Sequence, residues 1–194
     1  MKFTHLHTHS HYSLLDGMSK VDDMIKLAKE HGMTAIGLTD HGVMYGAIDF
    51  YTACKKNGLK PIIGVEAYVA NRTRFQKEPH IDNKRYHLTL LAKDNIGYHN
   101  LIKLTTAAHI EGYYYKPRVD KDLLRTHTEG LIALSGCPGG ELGRAIQSGN
   151  KEKAEEVILE YQSIFGPENY YLEIMHHPDV EFFENGRILS LNYL

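Results

Sequence analysis

Strand-like and helix-like stretches alternate from one end of the sequence to the other, and few architectures accept that order. "FTHLHTH" (3–9) has the period-two alternation of a strand. "SKVDDMIKLAKEHG" (19–32) follows as a helix: Val21, Met24, Ile25 and Ala28 share one face, with Ser19 as N-cap and Gly32 as the stop. "TAIGLTD" (34–40) is a short apolar strand with polar residues at its end. Ala47, Phe50, Tyr51 and Cys54 mark a second helix, closed by Gly58. Strands over 60–70 and 86–93 come next, then a helix carrying Leu101, Leu104, Thr105 and Ala108. A strand over 130–137, helices near 139–148 and 151–165, and a strand over 169–176 complete the series. Repeated strand–helix units predict a parallel sheet with right-handed crossovers, either open and doubly wound or closed into an α/β barrel. No glycine-rich phosphate loop follows the first strand, which weighs against a dinucleotide-binding fold. The polar stretch 71–85, basic at both ends, reads as a solvated loop.

The 194 residues suffice for one domain with a real core, and 42% hydrophobic against 24% charged residues is a globular mix. No apolar run approaches the roughly 20 residues of a membrane helix, and histidines interrupt the N-terminus where a signal segment would be apolar. No membrane association is expected. Cys54 and Cys137 are too few for a disulfide framework, so a reducing cytoplasm fits. A formal charge of -2 gives no bulk attraction to nucleic acid, so any DNA contact must be local or assisted by metal. Thirteen histidines and no tryptophan point toward metal, because neutral imidazole is the commonest metal ligand.

In parallel α/β folds functional residues gather where strands end. Here the first predicted strand ends in His7 and His9, the second in Asp40 and His41, the third in Glu66, and the fifth in Cys137. Asp16 follows the first strand by a short loop. All are ligand types for a zinc- or manganese-like ion. Residues at i and i+2 of a strand point the same way, so His7 and His9 can grip one ion together. Glu66 could bridge two ions, and a pair ~3.5–4 Å apart clamps both the attacking and the leaving oxygen of a phosphoester. Glycines at 42, 46, 64 and 136 are expected where backbone and ligand approach closely.

Other residues read differently. His5 lies deeper in the strand and is expected to hydrogen-bond a ligand, and His11 falls beyond it with no metal role. Asp40 is expected to orient His41, His31 to complement a helix dipole, and Cys54 to be a buried apolar residue. His80, His99, His109 and His127 lack supporting spacing, and "MHH" (175–177) is left unassigned. "GYYYKPRV" interleaves aromatics with Lys116 and Arg118, a mix suited either to single-stranded DNA or to a packed edge with snorkelling basic groups.

"HLHTHSHYSLLDG", "GLTDHGVMYGAIDFY", "KPIIGVEAYV", "YHLTLLAKDNIGYHNLIKL", "GYYYKPRVDKDLL" and "GLIALSGCPGGELGRAI" resemble the polymerase-and-histidinol-phosphatase (PHP) domain. More narrowly, they resemble the PHP domains that begin the alpha subunits of bacterial DNA polymerase III. The resemblance runs from residue 3 to about residue 175 in unbroken order. It implies a distorted (β/α)7 barrel with two to three Zn2+ or Mn2+ ions in a cleft at the strand ends. By that resemblance His7 and His9 hold one ion with Glu66. Glu66 bridges to a second held by His87 and Cys137, while Asp16 and His41 belong to a third site. Only the resemblance selects His87, which stands at the start of its predicted strand.

The implied activity is a metal-dependent phosphoesterase acting as a 3′–5′ exonuclease on single-stranded DNA ends, with Glu66 and His9 at its catalytic centre. The implied partners are DNA and other polymerase III subunits. Family members continue to a late strand ending in an Asp-x-His pair, whereas this sequence stops at "ENGRILSLNYL". Residues 1–194 are therefore expected to be a PHP barrel truncated at its C-terminus, without polymerase palm or fingers. Two rival readings are a non-catalytic, metal-stabilised scaffold that docks polymerase subunits, and a histidinol-phosphatase-like phosphatase. "YYYKPRVDKDLL" argues against the second.

Overall fold

A computed structural model describes residues 3–14 and 16–175. Its elements run α1 (Val21–Glu30), β1 (Ala35–Leu38), α2 (Ala47–Lys56), β2 (Lys60–Ala70), β3 (Arg85–Ala92), α3 (Asn95–Ile110), β4 (Arg118–Val119), α4 (Lys121–Arg125), β5 (Leu131–Leu134), α5 (Glu141–Gln147), α6 (Lys151–Phe165) and β6 (Tyr170–Tyr171). The apolar stripe of α1 is buried as its spacing predicts, but the N-cap is Lys20 rather than Ser19. Met24 N–H donates to the Lys20 carbonyl, and the Ser19 carbonyl instead accepts from His11 N–H at 2.8 Å. Asp22 and Asp23 then complement the dipole in the first turn without a side-chain cap.

Among the described residues six strands form one mixed sheet in the order β1-β2-β3-β5-β6, with β4 also on β2. β2 is long enough to share one edge. Residues 60–63 pair in parallel with β1, Glu66 bridges to His41, and 68–69 pair in parallel with β4. The expected all-parallel sheet does not form, because β3 runs antiparallel to both β2 and β5. The reason lies in residues 71–84, which contain no helix; without a crossover element the chain returns beside β2 in the opposite direction. The described strands leave an open path rather than the closed (β/α)7 barrel implied by the family resemblance. The expected C-terminal truncation falls on residues outside the described ones.

Residues 3–9 are extended but are not a regular strand. Gly37 N–H donates to the His5 carbonyl at 2.7 Å and Thr39 N–H to the Thr8 carbonyl at 2.8 Å. Two residues of β1's line thus face three of this segment, and the chain bends at His7. Gly37 permits the approach, since a Cβ there would stand 2.5 Å from the Leu6 carbonyl oxygen. The extra residue breaks the alternation, which leaves His5 exposed beside Phe3 while His7 and His9 turn inward. His5 therefore does not support a ligand as expected.

Two apolar clusters flank the sheet. α1 and α2 pack Val21, Met24, Ile25, Phe50 and Cys54 over β1, so Cys54 is the buried residue its stripe predicts, its thiol pushed up to about 11 by burial. The larger cluster gathers β2, β3 and β5 with α3, α5 and α6 around Leu88, Leu90, Leu101 and Tyr161. The stretch 71–84 is the largely exposed loop its composition predicts, but ion pairs pin it down. Arg72 pairs with Asp82 and Glu78, Arg74 with Asp120 and Glu111, and the buried Arg118 guanidinium donates to the carbonyls of Arg74, Gln76, Asp82 and Gly112.

Candidate metal centre

Glu66 sits mid-strand on β2 rather than at the expected strand end, because pairing with β3 and β4 carries the strand on to Ala70; it is 1% exposed, and the ligand-type residues converge on its two oxygens. Oε2 faces His7 Nε2 at 3.2 Å, His9 Nε2 at 3.1 Å and His41 Nε2 at 2.8 Å. Oε1 faces His87 Nδ1 at 2.8 Å and Cys137 Sγ at 3.3 Å. Cys137 Sγ also lies 3.3 Å from His87 Nδ1. The five residues arrive from four parts of the chain. His7 and His9 come from the extended N-terminal segment, His41 from the turn after β1, His87 from the first turn-side residues of β3, and Cys137 from the loop after β5. The antiparallel return explains His87, because the start of β3 lies beside the far half of β2, in the register Tyr68↔His87.

Asp16 does not reach Glu66. It contacts His41 Nδ1 at 2.8 Å and is 47% exposed, so it stands at the rim and fixes one imidazole. Asp40 does not orient His41; its buried carboxylate takes the N–H and Oγ–H of Ser10 at 2.6 and 2.9 Å, tying down the histidine segment. His11 lies exposed in a turn. His99, His109 and His127 bond the carbonyl four residues back and have no part in the cluster. His176 and His177 of "MHH" lie outside the described residues.

Three neighbours escaped the reading of the sequence. Glu173 Oε1 contacts His7 Nδ1 at 2.7 Å, the Thr89 hydroxyl lies 3.2 Å from the same nitrogen, and Ser13 Oγ lies 3.2 Å from His41 Nδ1. Glu173 follows β6 by two residues, so strand-end logic carried one strand further would have reached it. Thr89 shares a face with His87 by the same i, i+2 rule that pairs His7 with His9.

The electrostatics centre on Glu66. Burial alone would raise its carboxyl, but bonds from His41, His7, His87 and His9 outweigh that and hold the carboxylate far below its ordinary range. Burial lowers the His7 imidazole, yet its bonds to Glu173 and Glu66 carry it up to about 9. Burial, with Glu66 alongside, pushes the Cys137 thiol up to about 12. Burial likewise raises Tyr68, whose ring lies 5.2 Å from His87, to about 12.

This donor set fits divalent cations. Three imidazole nitrogens stand within 3.2 Å of Oε2, one more than the two lone pairs of a carboxylate oxygen accept. A cation between those nitrogens and the oxygen removes the crowding. His7, His9 and Glu66 form one group that could hold an ion, and His41, Glu66 and His87 a second, with Glu66 common to both. Among the described residues His9 Nδ1 and Glu173 Oε2 are buried without a hydrogen-bond partner, and a bound ion or water at the site would account for both.

Comparison with known proteins gives a consistent picture. The family model of the PHP domain matches residues 5–177. DNA polymerase III subunit alpha of Treponema pallidum is 49% identical over 178 residues, covering 91% of this chain and 15% of that protein. The same subunit of Thermus aquaticus is 46% identical over 181 residues, again 91% of this chain and 15% of the relative. The chain therefore spans about a seventh of the length of these relatives. Among solved structures, a candidate metal-dependent phosphoesterase from Bifidobacterium adolescentis superposes with a TM-score of 0.53 at 12% identity, over 97% of this chain and 82% of that one. At that identity the likeness is one of fold.

Proposed function

The chain belongs to the PHP-domain family, homologous to the N-terminal region of DNA polymerase III alpha subunits, and from that premise we propose that it is their metal-dependent phosphoesterase module, trimming the 3′ ends of single-stranded DNA. The observation that carries the reading is Glu66, a buried carboxylate with five ligand-type atoms within 3.3 Å. His7, His9 and Glu66 would hold one cation, Glu66, His87 and Cys137 a second, and Asp16 with His41 would serve a third. Zn2+ and Mn2+ suit these nitrogen, oxygen and sulfur donors. Such cations supply Lewis acidity that neutralises phosphoryl charge and lowers the pKa of water. Glu173 fixes the ring of His7, as carboxylates behind metal-bound imidazoles commonly do. His9, at 27% the most exposed of the four imidazoles, lies where a phosphoester would enter. DNA and other polymerase III subunits are the proposed partners. Among the described residues no helix is long and apolar enough to cross a membrane.

Metal-loaded protein should shorten 5′-labelled single-stranded DNA into a ladder, and chelation should stop it. An uncut band with metal still bound would overturn the exonuclease reading in favour of a metal-holding scaffold. Phosphate released from histidinol phosphate, with DNA uncut, would instead favour the small-molecule phosphatase.

Metal uptake should also be strongly pH-dependent. In the metal-free protein His7 is raised from 6.5 to about 9, so its proton contributes stability that is full below about 6.5 and lost as pH rises through about 9. A cation must displace that proton and the Cys137 proton, whose thiol stands at about 12. Two protons released at pH 7–8 mean that affinity rises about a hundredfold per pH unit. Calorimetric titration in buffers of different ionisation enthalpy measures the release directly. Binding heats independent of buffer would show that these groups are not displaced.

A further inference from the structure

The face of the sheet that carries Glu66 continues beyond the metal ligands. On β2 the residues pointing with Glu66 are Tyr68 and Ala70, and their partners on β3 are His87 and Arg85. Arg85 thus lies one rung past His87, about 7 Å further along the same face. Lys116 reaches this region from the other side, on the loop entering β4, which pairs with β2 at Tyr68↔Arg118. Arg85 Cζ lies 5.3 Å and Lys116 Nζ 5.7 Å from the centre of the Tyr68 ring. That ring stands 5.2 Å from His87 and 5.8 Å from His41, so the two cations adjoin the metal cleft.

Three arginines and a lysine of this region are already engaged. Arg72, Arg74 and Lys121 each pair with two carboxylates, and Arg118 is consumed by four carbonyls. Arg85 and Lys116 have no carboxylate within ion-pair distance among the described residues. Arg85 donates one bond to the Asn83 carbonyl, and its Nε is buried without a partner. Two cations without a carboxylate partner, held over an aromatic ring beside the candidate metal ligands, match an anion adjacent to the one the metals would take. A small phosphomonoester ends at the metals and has no second phosphate to offer. A polynucleotide does. With a formal charge of -2 overall, the chain needs such a local contact to hold DNA.

We propose that Arg85 and Lys116 form a cationic subsite that binds the phosphodiester next to the scissile one in single-stranded nucleic acid, with Tyr68 as its wall. The subsite rests on the phosphoesterase reading for the position of cleavage, but its binding does not require cleavage. The test is the salt dependence of binding between metal-loaded protein and a labelled oligothymidylate whose 3′ linkages are phosphorothioates. Each phosphate contact contributes about 0.7 to the slope of log K against log salt for single strands. Arg85→Gln/Lys116→Gln should lower the slope by about 0.7, with roughly eightfold weaker binding at 0.05 M salt, each single variant should lower it by part of that, and Arg85→Lys should retain the slope. Metal content serves as the folding control, and Lys116→Gln, outside the β2–β3 ladder, carries the test if Arg85→Gln loses metal. Unchanged slopes with metal intact, or no binding by the unmodified protein, would overturn the subsite. A lowered slope in a protein that leaves ordinary DNA uncut would sink the phosphoesterase reading and keep the subsite; cleavage with unchanged slopes would do the reverse.

Discussion

Glu66→Gln is expected to strip the protein of metal and of any phosphoesterase activity in one step. The substitution conserves shape but removes the negative charge on which His7, His9, His41, His87 and Cys137 converge. One end of the amide becomes a donor. Placed at Oε1 it faces His87 and Cys137; placed at Oε2 it faces three imidazoles, and either choice loses the bridging oxygen. Because Glu66 is common to both candidate groups, both should empty together. The loss of affinity should exceed the roughly ten- to hundredfold typical when only an orienting partner of a ligand is removed. Metal analysis after gel filtration measures it, with circular dichroism to confirm folding. His5→Ala and His11→Ala, at exposed positions away from Glu66, should keep full metal content. A folded Glu66→Gln variant with unchanged metal would remove the basis for the whole centre.

Much of this arrangement was legible in the residues, and the exceptions have physical causes. Periodicity located the helices over 21–30, 47–56 and 151–165 and the strand over 60–70, because long amphipathic or apolar segments carry their own signal. Strand-end reasoning singled out His7, His9, His41, Glu66 and Cys137, which the fold brings together. Strand direction was misread as uniformly parallel, although the helix-free stretch 71–85 between two strands already precluded a crossover. That reversal also places His87, whose position at the start of a strand makes sense only when the strand runs antiparallel. The row of four alternating histidines suggested one inward face for His5, His7 and His9. The bend at His7 is set by register against β1, a tertiary pairing that no local pattern encodes. Arg118 sat in a stretch that suited DNA or packing equally, and only its complete burial decides for packing.

That burial leads to the second large effect: Arg118→Met should destabilise the protein by about 3–5 kcal/mol, lowering Tm by roughly 10 °C or more. Methionine matches much of the arginine's stem but offers no donors. The carbonyls of Arg74, Gln76, Asp82 and Gly112 would lose bonds of 2.8–3.0 Å around a fully buried guanidinium. Lysine cannot replace the fork, because a single ammonium point cannot span four carbonyls spread over three segments, so Arg118→Lys should recover only part of the loss. The consequence extends to the metal centre. Three of the four carbonyls belong to the 71–84 stretch, which returns the chain to β3 and sets the pairing of Tyr68 with His87. Loosening it should weaken metal held on the His87 and Cys137 side of Glu66 before metal held by His7 and His9, whose segment is tied independently to β1 and Asp40. Thermal denaturation with stepwise metal titration separates the two effects. Unchanged Tm would show that the guanidinium is dispensable. Equal weakening on both sides of Glu66 would show that the return loop does not set the register of His87.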